Sequence, residues 1–577
     1  MAQITYRANL SAKSFPFIAD NWGRSVIIPQ SDNAFNRQLT SSEDSDKDVG
    51  IPQAFYMHNV MPDAQGFQSV GYTEVAASIA PTYPFTSIWV IRDASDAKAF
   101  LGVTSGGAFY INTGVGWVFK FTLFYTGSVT TAYVSGTTYI YVGLLGCYKY
   151  DFGTGLFVAV TLNGLDATKV IGITGAVGYL IAWTIPISGV ALSLTTSVGS
   201  AVLTGAVTTG VVINQLVTGT GIPIGAKVVT ITAGVSITLD QVATVAGTNS
   251  ISFASMAAGI AWSSTLDPTD FVPSLVTGAG GGNVEGARGA ITYCVAHTLG
   301  FIVYTTNNAV AAVYSNNARY PFTFREILSS GGLGSLDLVG YDANSGNHYA
   351  YTTSGLQVVG TSQTQTVFPE VTDFISGKYF EDYNELTGTF SSTVLTVSMV
   401  KKINIISDRY LVISYGMTGL THALIYDIAL KRFGKIKLPH ISTIEYVLTS
   451  PGVIEIPKQS IGFLQANGAI KILDFGAYSS TSLGVIALGK YQYVRARLMQ
   501  LDTISIENVY DQNTFSLTVL TALDGKNTAT TTPYKLTSAG TLAVYGTRAI
   551  GINHSFIIKG NFQLSTLVLK FSLGGKE

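Results

Sequence analysis

Three carboxylates crowd the stretch "YFEDYNEL": Glu381, Asp382 and Glu385. Two carboxyl groups at a set separation are what glycoside hydrolysis requires. A loop of solvated acids has the same composition, so no catalytic role is assigned to these residues. A second acidic set, Asp44, Asp46 and Asp48 followed by Gly50, alternates in "SSEDSDKDVG" like a calcium loop. The glycine stands one place late for an EF-hand, and Phe55 occupies the position of the closing glutamate. An acidic solvated loop is the plain reading, and calcium the alternative. The six histidines, His58, His297, His348, His422, His440 and His554, make no His-x-His pair and no HExxH. Cys147 and Cys294 lack zinc spacing and cannot form a disulfide framework; they are expected to be buried thiols. No G-x-S-x-G elbow and no phosphate-binding G-x-x-x-x-G-K-[ST] is present. The expectation is a protein that is not an enzyme, with no cofactor-binding, catalytic or metal residues.

The elements around these residues are β-rich. The chain has 577 residues, 47% hydrophobic and only 12% charged, against a usual charged share of about 25%. Gly, Ser and Thr fill the deficit. Disorder requires low hydrophobicity and high net charge, which this is not. The net charge of −1 gives no global attraction to nucleic acid or anionic lipid. The N-terminal "MAQITYRANLSAKSFPF" lacks the apolar core of a secretory signal. From Val170 to Ala226 no residue is charged. The run is long enough to span a bilayer, but Gly, Ser, Thr and Pro186 interrupt it. Buried strands separated by turns are expected there instead. Helical patterning is nearly absent; "EYVLTS" and "YVRARLMQ" are the best short candidates.

A hairpin recurs. In "CYKYDFGTGLFVAV", Tyr150-Asp151 precedes Phe157; in "LIYDIALKRFGKIKL", Tyr426-Asp427 precedes Phe433. "FYINTGVGWVFKF" places Tyr110 at the same spacing from Trp117. Tyr110 and Tyr150 lie one propeller-blade period apart. A ring of four-stranded blades buries faces that one sheet alone leaves wet. The reading is an all-β chain with a degenerate β-propeller of about six blades over 76–490, preceded by a lead-in over 1–75. An irregular array of β-sandwiches is the alternative. Residues 193–256, whose only charges are Lys227 and Asp240, read as a small β domain inserted in the propeller. "LVTGAGGGNVEGARGA", 275–290, reads as a flexible return. Residues 491–577 read as a terminal antiparallel platform domain of β-sandwich type.

Several of these segments resemble the tail nozzle proteins of short-tailed, podovirus-like bacteriophages, also called tail tubular or packaged-DNA-stabilising hub proteins. "FYMHNVMPDAQGFQSVGY" is similar to that family's opening Asn-Val-x-Pro motif, "NNARYPFTFREILSSGGL" to its blade segment, and "LIYDIALKRFGKI" to its hairpin. "RARLMQLDTISIENVYD" and "HSFIIKGNFQLSTLVLKFS" resemble its closing β domain. The inserted "VTGTGIPIGAKV" resembles a small β domain of phage virion proteins and is an addition to the nozzle pattern. The resemblance implies a homo-hexameric tube in the virion, made in the host cytoplasm. Lead-in and C-terminal domain would join as a platform against the adaptor ring. Tail fibres or other tail proteins would be further partners, and genomic DNA would be held and then conducted without sequence-specific binding. A β-propeller receptor or glycan-binding protein, gripping through Tyr-lined loops, is the alternative function.

Overall fold

The computed structural model describes the strand Gln3–Asn9 and most of residues 54–573; the longer stretches outside it are 10–53, 376–381, 385–388, 392–399, 456–460, 475–482, 493–498, 507–513 and 523–527. The chain divides into two compact units.

The first unit comprises Ile79–Val367 with Leu448–Glu455. It holds five four-stranded antiparallel blades, and the first strand of each lies beside the first strand of the next. Blade one is Phe85–Arg92, Lys98–Thr104, Ala108–Asn112 and Trp117–Thr122; blade two is Val129–Val134, Thr137–Val142, Gly146–Asp151 and Leu156–Val160. Blade three is Val170–Ala176, Tyr179–Thr184, Gly259–Trp262 and Gly280–Asn283. Blades four and five span Ile291–Leu328 and Val339–Thr366. In the middle of this unit the second strand of a blade is covered on both faces, as blade three is by its neighbours on either side. Every residue of Tyr179–Thr184 and of Gly300–Thr305 is buried. Such strands read as continuous apolar runs, which explains the charge-free stretch after Val170. Between blades three and four the packed layer includes Trp183, Trp262, Phe301, Val303 and Phe322. No described helix is long and apolar enough to cross a membrane.

The second unit holds the remaining chain. Blade six is Val400–Ile406, Tyr410–Tyr415, Leu420–Asp427 and Arg432–His440. Blade seven takes three strands from 442–474 and its outer strand from Gly71–Ala76. The described residues thus form seven blades, five in one unit and two in the other, against the expected six or so. The last depends on a strand from before the repeat region. The terminal domain is a sandwich of two five-stranded sheets. Gln3–Asn9 pairs with Thr566–Leu573 at the edge of one, and Ala54–His58 pairs with Gly484–Gln492 at the edge of the other. Its core joins Met57, Val60 and Phe67 to Ile504, Phe556 and Ile558.

The recurring hairpins are the third and fourth strands of blades one, two and six. Tyr150 faces Phe157 and Tyr426 faces Phe433. The third echo is corrected: Tyr110 faces Phe119 and Trp117 faces Asn112, so Tyr110 and Trp117 are not a facing pair. The true equivalent in blade one is Asn112, whose Oδ1 accepts the Gly114 and Gly116 N–H groups at 2.9 and 3.2 Å. Asp151 accepts those of Gly153 and Thr154, and Asp427 that of Leu430. The shared device is an Asx turn closing a hairpin.

Three local expectations change. Residues 447–450 of "EYVLTS" form a strand, and so do Met499 and Gln500 of "YVRARLMQ". Gly280–Asn283, expected as a flexible return, is the outer strand of blade three. Glycine is required there by close approach: a Cβ on Gly281 would lie 2.5 Å from the Ile260 carbonyl oxygen.

Candidate interaction surfaces

Of the acidic candidates, only Asp382 lies among the described residues. Asp44, Asp46 and Asp48 lie outside the described residues, as do Glu381 and Glu385. Asp382 opens the short strand Asp382–Asn384, paired with Thr389–Ser391. Among the described residues no three His, Cys, Asp or Glu side chains come together as metal ligands would.

Three histidines serve packing. His348 is fully buried; its Nε2–H donates to the Ala296 carbonyl at 2.8 Å and its Nδ1 accepts from the Tyr304 hydroxyl at 3.0 Å. Burial pushes its pKa down to about 3, helped by neighbouring His297. His440 donates Nδ1–H to the Leu438 carbonyl at 2.7 Å and accepts from Ser414 Oγ at 2.9 Å. Burial lowers it to about 4, and His554 likewise to about 4. A neutral imidazole with one nitrogen donating and one accepting is a satisfied core group. Both cysteines are buried free thiols; burial pushes Cys147 up to about 12 and Cys294 well above its ordinary value. Thiols held protonated in this way are inert.

The inserted domain is the most distinctive surface. It leaves blade three after Thr184 and returns before Gly259 through a two-stranded stem. Ile187 and Met256 exchange N–H···O bonds at 2.9 Å, and Val190 faces Phe253. Its six strands, Val190–Thr196, Val202–Thr204, Val217–Gly219, Val228–Thr232, Ser236–Leu239 and Gly247–Phe253, form one sheet. The Leu216–Lys227 bridge brings the two edges of that sheet together, making a small barrel. Leu194, Leu203, Val217, Ile237, Ile251 and Phe253 fill it.

Its only two charges are structural. Lys227 Nζ donates to the Gly281 carbonyl of blade three at 3.0 Å, while Asp240 Oδ1 accepts the Lys227 N–H at 2.7 Å. Burial lowers the Lys227 pKa. No motif marks these two charges; the signal the sequence carries for them is their isolation in an otherwise uncharged segment. Between barrel and blade lies a crevice of about 330 Å³ lined by Lys169, Thr184, Ile187, Asn214, Ile231 and Met256.

No family profile and no curated protein sequence matches the chain. Solved structures show weak likeness. Over 70% of this chain and 96% of theirs, it is similar to YCF48 bound to a D1 peptide, at 8% identity and a TM-score of 0.34. It is similar to the extracellular domain of the putative hybrid two-component system BT3049 from B. thetaiotaomicron, at 10% identity and a TM-score of 0.34, covering 78% of this chain and 46% of that one. For BamB from Moraxella catarrhalis the identity is 9% and the TM-score 0.32, over 71% and 99% of the two chains. Likenesses of this size carry no inference about activity, ligand or partner.

Proposed function

We propose that this chain is a structural component of a short bacteriophage tail, the nozzle. Six copies would form a tube below the adaptor ring, hold packaged DNA and conduct it during ejection. The observation that carries this reading is the terminal sandwich. Strands from residues 3–9 and 54–58 complete the two sheets built by residues 484–573, as the nozzle resemblance implies for a platform made from both ends of the chain. The charge balance is consistent with a conduit: 33 basic residues face 34 acidic ones. Each phosphate neutralised by Lys or Arg would add affinity and slow passage. Heterologous contacts around a closed ring fit such an assembly.

Negative-stain electron microscopy of the purified chain, with and without its adaptor ring, tests the proposal. Six-fold tubes with a central hole are expected, at least on the adaptor. Single particles under both conditions would overturn it. A second reading, glycan binding, is favoured by the exposed aromatics of blade one and its flanking loops, Tyr83, Phe119 and Phe124; aromatic faces bind sugars. A glycan array without hits would remove it.

A further inference from the structure

The barrel end opposite the stem carries an apolar tip. Val190 and Phe253 pair at the stem end of the barrel, Thr196 and Gly247 at the far end. Three loops meet at that far end, 197–200, 220–225 and 240–246. They are laced by backbone hydrogen bonds: Gly199 N–H to Ala243 O at 2.9 Å, Ala243 N–H to Ser200 O at 2.8 Å, and Thr244 N–H to Gly221 O at 2.8 Å. Thr196 Oγ1 adds a bond to Val245 O at 2.7 Å. Gly221 has φ +77°, and a Cβ there would meet the Val245 backbone nitrogen at 2.9 Å. The loops therefore form a braced platform, with much of their polar backbone spent on one another.

From that platform project four aliphatic side chains, Val198, Ile224, Val242 and Val245, exposed by 68%, 101%, 50% and 45%. Single exposed apolar residues are ordinary. Four on three interlocked loops at one end of one domain are a patch. The only charge in these loops is Asp240, whose carboxylate accepts the Lys227 N–H. Four side chains fall well short of the ~800 Å² and 20–30 residues a side of a standard protein interface. Hydrocarbon requires neither area complementarity nor directional partners, and rewards each aliphatic group inserted.

We propose that this tip inserts into the outer layer of a lipid bilayer as an uncharged anchor. The inference stands on the inserted barrel alone and is independent of the nozzle reading. An anchor of this kind has no electrostatic component. It binds neutral phosphatidylcholine vesicles, and binding persists between about 0.1 and 1 M salt, where the Debye length falls from about 10 to 3 Å.

The test uses the full chain carrying Ile224→Cys labelled with an environment-sensitive NBD dye. Cys147 and Cys294 are buried with raised thiol pKa values, so the label goes to position 224. A blue shift with neutral vesicles, unchanged by salt, is expected, and unlabelled wild type is expected to float with those vesicles. Ile224→Asp should lower vesicle partitioning by about tenfold or more, without lowering the melting temperature, because the side chain packs against nothing. Absence of both blue shift and flotation would overturn the proposal. Binding confined to anionic vesicles and lost in salt would also overturn it. A change of oligomeric state in Ile224→Asp would assign the tip to a protein contact instead, and would overturn it too.

Discussion

Ser69 and Phe562, 493 residues apart, share three hydrogen bonds: Ser69 N–H to Phe562 O at 2.9 Å, Ser69 Oγ–H to the same oxygen at 3.3 Å, and Phe562 N–H to Ser69 Oγ at 3.0 Å. The first of these is pure backbone and survives truncation of the side chain. Ser69→Ala removes the other two and leaves the buried Phe562 N–H without its acceptor. A loss of about 1–3 kcal/mol is expected, the usual cost of an orphaned buried donor. Denaturant unfolding, followed through the midpoint of the sandwich-containing unit, measures it.

Asp427 does two jobs inside blade six. Its Oδ2 accepts Arg409 Nε and Nη2 at 2.9 and 2.7 Å, and its Oδ1 accepts the turn N–H of Leu430. The carboxylate is fully buried, with the guanidinium partly exposed. Asp427→Ala should cost about 3–5 kcal/mol, because it strands a cation and a turn donor together. Asp427→Asn keeps an oxygen for the turn and should cost distinctly less. Asp151→Ala removes a turn of the same type at the surface and should leave the melting temperature nearly unchanged. Thermal melts of the three variants rank these roles.

Acid stability follows from the histidines. His348, His440 and His554 bind protons less readily in the folded chain, at about 3, 4 and 4, than at the ordinary 6.5. The unfolded chain therefore takes up more protons below pH 6.5. Their contribution is fully present above that pH and is lost as pH falls from 6.5 towards 4 and then 3. Each histidine adds at most about 1.4 kcal/mol of lost stability per pH unit. Denaturant midpoints should hold steady from pH 7 to 8 and fall progressively below about 6.5. A flat profile down to pH 4 would contradict the buried neutral state.

Lys227 fixes the barrel to its blade. Lys227→Met keeps the buried stem of the side chain and removes the bond to Gly281 O. Faster proteolytic cutting around the 185–190 and 253–259 stem is expected, with little change in the melting of the blades. Equal cutting rates in variant and wild type would show that the two-stranded stem suffices.

Much of this fold is legible in sequence because its signals are local. Tyr150–Asp151–Phe157 and Tyr426–Asp427–Phe433 are hairpins closed by nearby turn residues, and such pairs carry their own spacing. The Tyr110 echo misled because Tyr110 stands one place farther from its turn than Tyr150 does, so the same tyrosine-to-aromatic spacing joins residues that do not face each other; Asn112, a turn former as good as aspartate, carried the true alignment. Gly280–Asn283 looked like linker because glycine marks flexible chain and close approach alike. What could not be read were the long-range pairings. That Gly71–Ala76 would complete blade seven depends on its partner near 470 and on no feature of its own. The apolar tip was equally hidden. Val198, Ile224, Val242 and Val245 have the composition of core residues, and only the closure of the barrel turns them outward.

The stem of the inserted barrel has an evolutionary consequence. Because Ile187 and Met256 face each other in register, the chain leaves blade three and re-enters it at nearly the same point. Excising what lies between would leave two strand ends that a tight turn can join, with no change in the order or phase of any blade. The barrel is thus a replaceable cartridge. Lineages carrying this scaffold can acquire, exchange or discard an exterior module while the packing beneath stays untouched.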